Sequence, residues 1–168
     1  MRILGRSPKR KGRNDRKGRP AQLAVPLPVG AEAPDIRGES PAGEPIAVDV
    51  GAGATILVFL TSDCAECQDL WRGMVTGGSP GEPRVVLVTT DASTQSRRAL
   101  EDVRPPGQIA VMSSAAWHAY GVTKAPWSVV VVDATVVASG PGGSNWGELL
   151  ARAGRAAAAA AGAPGQGG

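Results

Sequence analysis

Only two cysteines and one histidine occur among the 168 residues, and aromatic residues make up 4% of the chain. A structural zinc site usually takes four thiolate or imidazole ligands, so this inventory argues against one. So few cysteines also exclude a disulfide-dense mini-protein. No run of ~20 apolar residues is present, as a membrane-spanning helix would need. A secretory leader needs ~7–15 apolar residues after its basic region. The candidate, Ala21-Gln22-Leu23-Ala24-Val25-Pro26-Leu27-Pro28, is broken by two prolines. These absences predict a soluble, cytoplasmic protein. A membrane-associated or extracytoplasmic one is the alternative if the true start lies elsewhere.

What is present is a chain that is 42% hydrophobic, with 23 glycines and 14 prolines. That mixture suits one compact α/β body with flexible ends. The net charge of +3 hides an asymmetry: residues 1–20 carry nine Lys or Arg against Asp15 alone, hence +8. The rest holds nine basic and fourteen acidic residues, hence −5. Residues 1–30 therefore read as a disordered basic tail and Pro-rich linker that cannot bury enough apolar surface to order itself. Residues 31–156 read as the globular domain, and 157–168 as an Ala/Gly-rich C-terminal tail.

Within the body, apolar strands alternate with helical stretches. Residues 45–50 make a short early strand. Thr55-Ile56-Leu57-Val58-Phe59-Leu60 is a continuous apolar run, as expected of a strand covered on both faces. Residues 64–74 read as a helix, with Leu70, Trp71 and Met74 at helical spacing, followed by a loop at 77–81. A second buried strand covers 85–89. A helix is expected over 93–103, capped by Asp91 or Ser93 and ended by Arg104-Pro105-Pro106-Gly107. A strand at 109–112 and a brief helix at 115–120 follow. Residues 128–133 and 136–139 pair as a hairpin turning at Asp133-Ala134-Thr135. A final helix covers 145–161, with Ser144 as its N-cap. This order predicts an α/β fold of three layers, a central mixed sheet flanked by helices.

Both cysteines fall in one Cys-x-x-Cys, Cys64-Ala65-Glu66-Cys67, between a buried strand and a helix. Unpaired backbone N–H groups and a positive dipole at a helix start stabilise a thiolate on the first cysteine. A lowered thiol pKa makes it a nucleophile near neutral pH. The spacing brings the second cysteine round the first turn to resolve a mixed disulfide. Cys64 is thus the expected nucleophile and Cys67 the resolver.

With the strand-then-Cys-x-x-Cys of residues 56–67, three further segments carry a resemblance. They are the opening Gly30-Ala31-Glu32-Ala33-Pro34-Asp35, the stretch Tyr120-Gly121-Val122-Thr123-Lys124-Ala125-Pro126, and the apolar strand and hairpin of 129–138. Over residues 31–155 the chain resembles the thioredoxin-like superfamily, nearest the TlpA/MauD-like thiol:disulfide oxidoreductases. The resemblance implies a thioredoxin-like fold and thiol–disulfide exchange with protein disulfides, without a cofactor or metal. It further implies that Pro126 is cis and packs against the cysteines. The Ala125 backbone would then face an incoming peptide strand, with Trp127 beside the site as a fluorescent reporter. A monomer served by an external electron donor is expected.

Departures from the family pattern carry information. Asp63 stands where the family usually has Trp, and no proline separates the cysteines. Asp63, Glu66 and Asp69 surround the thiol with negative charge, which disfavours the thiolate and predicts a reductant with a modestly acidic Cys64. A peroxiredoxin-like peroxidase is an alternative, since Thr61 fits that motif, but Leu57 occupies its proline position. Another is a non-catalytic binding module, delivering metal or acting as an adaptor. Thioredoxin-fold metallochaperones usually have wider cysteine spacing and a partner histidine. His118, the single histidine, reads as a surface or half-buried residue. The basic tail could contact nucleic acid or an anionic membrane by Coulomb attraction, against a bland reading as solvated leader.

Overall fold

The computed structural model describes residues 25–74 and 82–162. Residues 1–24, the loop at 77–81 and residues 163–168 lie outside the described residues, as do the expectations for them. The strands are β1 (Ile36–Glu39), β2 (Pro45–Val48), β3 (Ala54–Phe59), β4 (Arg84–Thr89), β5 (Ala110–Met112), β6 (Trp127–Val132) and β7 (Thr135–Pro141). The helices are α1 (Cys67–Gly73), α2 (Arg97–Val103), α3 (Ser114–Ala119) and α4 (Trp146–Gly162). All seven strands form one mixed sheet in the order β2-β1-β5-β4-β3-β6-β7, with β3, β4 and β5 parallel and β6 and β7 antiparallel to their neighbours.

The central strand β3 explains the layering. Its side chains alternate in direction, as any strand's do. Ile56 and Val58, with Leu60 just beyond, pack among Leu70 and Trp71 of α1, Leu100 of α2 and Trp146, Leu149 and Ala153 of α4. Leu57 and Phe59 face the other way, against Ala116 of α3, Tyr120 and the segment through Ala33. Both faces are covered, so every β3 residue after Ala54 is buried. Each fully buried aliphatic side chain contributes ~1.5–3 kcal/mol of apolar transfer.

Several element boundaries depart from the sequence expectation. β1 was not anticipated, because Ile36-Arg37-Gly38-Glu39 has no apolar run. It exists by pairing with β2 and β5, and Gly38 sits so close that a Cβ would lie 2.3 Å from the Met112 carbonyl oxygen. Residues 91–95 form a separate turn on the Asp91 carbonyl. α2 starts only after Ser96, whose Oγ accepts the Ala99 N–H. The cap of α4 is Asn145 and not Ser144: its Oδ1 accepts the Glu148 N–H at 3.0 Å. The buried phase Trp146, Leu149, Ala153, Ala157 sets that choice. It also carries the core contact one residue past Ala156, and the helix runs to Gly162. The β6–β7 hairpin turns on two residues, Asp133 and Ala134, both with positive φ, and the Asp133 carboxylate accepts the Gly53 N–H.

Tyr120 closes the face opposite the cysteines. Its buried hydroxyl donates to the Pro34 carbonyl at 2.6 Å. Burial, with the Asp35 charge adding to it, pushes the phenol well above its ordinary value. A group whose folded pKa is raised loses its stabilising share as pH climbs above the unfolded value of about 10. Tyr120→Phe is expected to cost ~1 kcal/mol at pH 7, and that deficit should narrow in urea melts above pH ~10. A deficit that stays constant across this range would contradict the assignment.

No helix among the described residues is long and apolar enough to cross a membrane.

Candidate active site

Cys64 and Cys67 lie just past the C-terminal end of β3 and are joined as a disulfide with Cα atoms 5.1 Å apart. Cys67 is buried among the residues beneath α1 and α4, whereas Cys64 is half-exposed. Only the outer sulfur can therefore meet a large substrate. The α1 helix begins at Cys67, three residues later than the sequence suggested, and Cys64 stands in the preceding turn. That turn is closed by Cys67 N–H donating to the Cys64 carbonyl and to the Cys64 sulfur, each at 3.1 Å. Glu66 occupies the N-cap position without a side-chain cap bond. The Cys64 sulfur thus meets one aimed N–H and stands outside the helix proper.

The second wall of the site is the segment before β6. The Ala125–Pro126 peptide is cis, and the Ala125 carbonyl oxygen lies 3.7 Å from the Cys64 sulfur. Pro126 is buried against Gly142, where a Cβ would come within 2.9 Å of the proline ring, and the Gly142 N–H donates to the Pro126 carbonyl at 2.9 Å. Thr123 and Lys124 are exposed beside it. The structure therefore brings Cys64, Cys67, Ala125 and Pro126 together.

It does not bring Trp127 to them. One strand residue further on, Trp127 points to the opposite layer, packs near the Leu57 and Phe59 side, and donates its indole N–H to Ser139 Oγ at 3.0 Å. Lys124 Nζ lies 6.0 Å from the centre of its ring. The indoles in the layer of Cys67 are Trp71 and Trp146, and Trp71 donates to the Thr61 carbonyl at 3.0 Å. The alternation of β6 decides this outcome.

Residues that sequence reasoning missed hold the loop leading into Cys64. Ser62 is gripped on every polar atom. Its N–H donates to Gln95 Oε1 at 3.1 Å, its carbonyl accepts Gln68 Nε2 at 2.8 Å, and Gln95 Nε2 donates to its hydroxyl. Gln95 is only 5% exposed. A buried glutamine with no nearby motif leaves no mark in the sequence, since its partner lies 33 residues away.

Asp63, Glu66 and Asp69 are all exposed, and Asp69 pairs with Arg72 at 3.0 Å. Such an exposed pair adds little stability. No group of three or more His, Cys, Asp or Glu side chains that could hold a metal ion occurs among the described residues. His118 is exposed near the end of α3, on the layer away from the cysteines.

The sheet order, the parallel β3–β4–β5 core, the disulfide after β3 and the cis proline before β6 define a thioredoxin fold. Solved structures agree. A putative thiol:disulfide interchange protein DsbE from Chlorobium tepidum superposes with a TM-score of 0.63 at 22% identity, over 78% of this chain and 98% of that one. The thioredoxin domain of a thiol-disulfide oxidoreductase from Bacteroides vulgatus gives 0.58 at 17% identity, over 75% and 97%. A peroxiredoxin-like protein from Aquifex aeolicus gives 0.61 at 15% identity, over 80% and 90%. No protein-family model and no curated protein sequence matches the chain.

Proposed function

We propose that this protein is a thiol–disulfide oxidoreductase acting on protein disulfides. The observation that carries the reading is the arrangement around Cys64. Its half-exposed sulfur is bonded to the buried Cys67 sulfur, touched by one backbone N–H and faced by the Ala125 carbonyl. In the dithiol form the Cys64 thiolate attacks a substrate disulfide, forming a mixed disulfide and expelling one substrate thiolate. Cys67, once deprotonated, attacks the Cys64 sulfur, and the second substrate thiolate leaves. Two electrons pass to the substrate and the Cys64–Cys67 disulfide remains, to be reduced by an external dithiol. Substrate backbone lies along exposed Thr123 and Lys124 and half-buried Ala125 as an added strand.

The reaction direction we assign is reduction. A single N–H on the thiolate, with exposed Asp63 and Glu66 beside it in the chain, stabilises the thiolate weakly, and a weakly stabilised dithiol form gives a reducing couple. The test is an equilibrium titration of the pair in dithiothreitol redox buffers, read by Trp71 fluorescence and by counting alkylated thiols. A reversible two-electron transition near the low end of ~−270 to −180 mV is expected. Absence of any reversible transition would sink the redox reading and favour a binding module.

A further inference from the structure

We propose that Gln95 is a positioning residue for the nucleophile, fixing the loop that delivers Cys64 through its two hydrogen bonds to Ser62. The inference rests on the redox reading above and adds a residue to its machinery. Four side-chain hydrogen bonds hold Thr61 and Ser62. Two come from Trp71 and Gln68, which belong to α1, the helix that carries Cys67. If α1 shifts, those two bonds shift with it. The Gln95 pair is different, because it originates beyond β4. The Gln95 backbone is itself tied down, its N–H donating to the Asp91 carbonyl at 2.9 Å, while the Asp91 N–H donates to Ser114 Oγ at 3.0 Å in α3. Gln95 therefore references the Cys64 loop to the body of the protein instead of to its own helix.

An amide suits this task. Ser62 presents an N–H, which needs an acceptor, and a hydroxyl oxygen, which takes a donor, and the glutamine supplies one of each. Two residues along the chain, the Cys64 sulfur must sit 3.1 Å from the Cys67 N–H and 3.7 Å from the Ala125 carbonyl. Hydrogen bonds weaken steeply with poor alignment. A loop free to drift thus loses the N–H on the thiolate and exposes Cys64 at varying angles to its target.

Gln95→Met keeps the side chain's length and apolar bulk and removes both bonds. Expected are a roughly tenfold slower alkylation of dithiol Cys64 by iodoacetamide at pH 7 and a roughly tenfold shift of the dithiol–disulfide equilibrium toward disulfide, equal to ~30 mV more negative. Ser62→Ala, which deletes only the hydroxyl acceptor, should move both quantities in the same direction by about threefold, on the usual scale of one hydrogen bond. It decides the matter if Gln95→Met fails to fold. A side chain that merely braces the fold would lower the melting temperature and leave potential and alkylation rate at wild-type values. That result overturns the proposal while leaving the wild-type redox transition, and the reading built on it, intact.

Discussion

Replacing Cys64 with serine is expected to abolish disulfide reduction, by at least about 10³-fold in single-turnover assays, since the remaining thiol, Cys67, is fully buried. Cys67→Ser should behave differently. The first attack still proceeds, because Cys64 is the half-exposed sulfur, but no resolver follows. A mixed disulfide between Cys64 and substrate should accumulate to near stoichiometry and be visible by intact mass. Burial makes the two cysteines unequal: Cys67 sits beneath α1 and α4, out of reach of a folded or extended partner. If both variants instead form mixed disulfides at similar rates, the assignment of roles fails.

A large effect of another kind is expected at Phe59, the one phenylalanine of the chain. Its fully buried ring meets Trp117 edge-on at 5.6 Å between centroids and Tyr120 at 5.7 Å. This aromatic group joins the centre of the sheet to α3. Phe59→Ala should cost about 3–5 kcal/mol, the usual range for emptying a core aromatic site. Chemical denaturation at pH 7 measures it directly. Phe59 points away from the disulfide, so the redox potential of the folded fraction should remain that of the parent. A loss under 1 kcal/mol would mean the opposite layer collapses easily into the space.

Much of the scaffold was legible because its signals are local. The run from Thr55 to Leu60 is apolar at every position but the first, and only a strand covered on both faces accommodates that. Leu70 and Trp71 follow the cysteine at helical spacing and do pack against it. The cysteine pair was legible for the same reason: two cysteines in the whole chain, three positions apart, at the end of such a strand, and they are joined as a disulfide. β1 was not legible. Arg37, Gly38 and Glu39 have no apolar pattern, and the strand is held by partners 6–12 residues away in β2 and by Met112 in β5. Trp127 misled because chain proximity to Pro126 suggests spatial proximity to the cysteines, whereas β-alternation turns consecutive side chains to opposite faces.

By itself, then, the amino-acid sequence determined the α/β order of elements after β1, the central strand, the hairpin before the last helix and the cysteine pair at the end of that strand. Each of these follows from periodicity or spacing within a dozen residues. The tertiary structure alone decided which sulfur is accessible, that one N–H and one carbonyl address it, that Trp71 and not Trp127 shares its face, and that Gln95 grips the loop before it. Those properties arise where residues distant in sequence meet, and hydrogen bonds across such distances depend on the packing of the whole sheet.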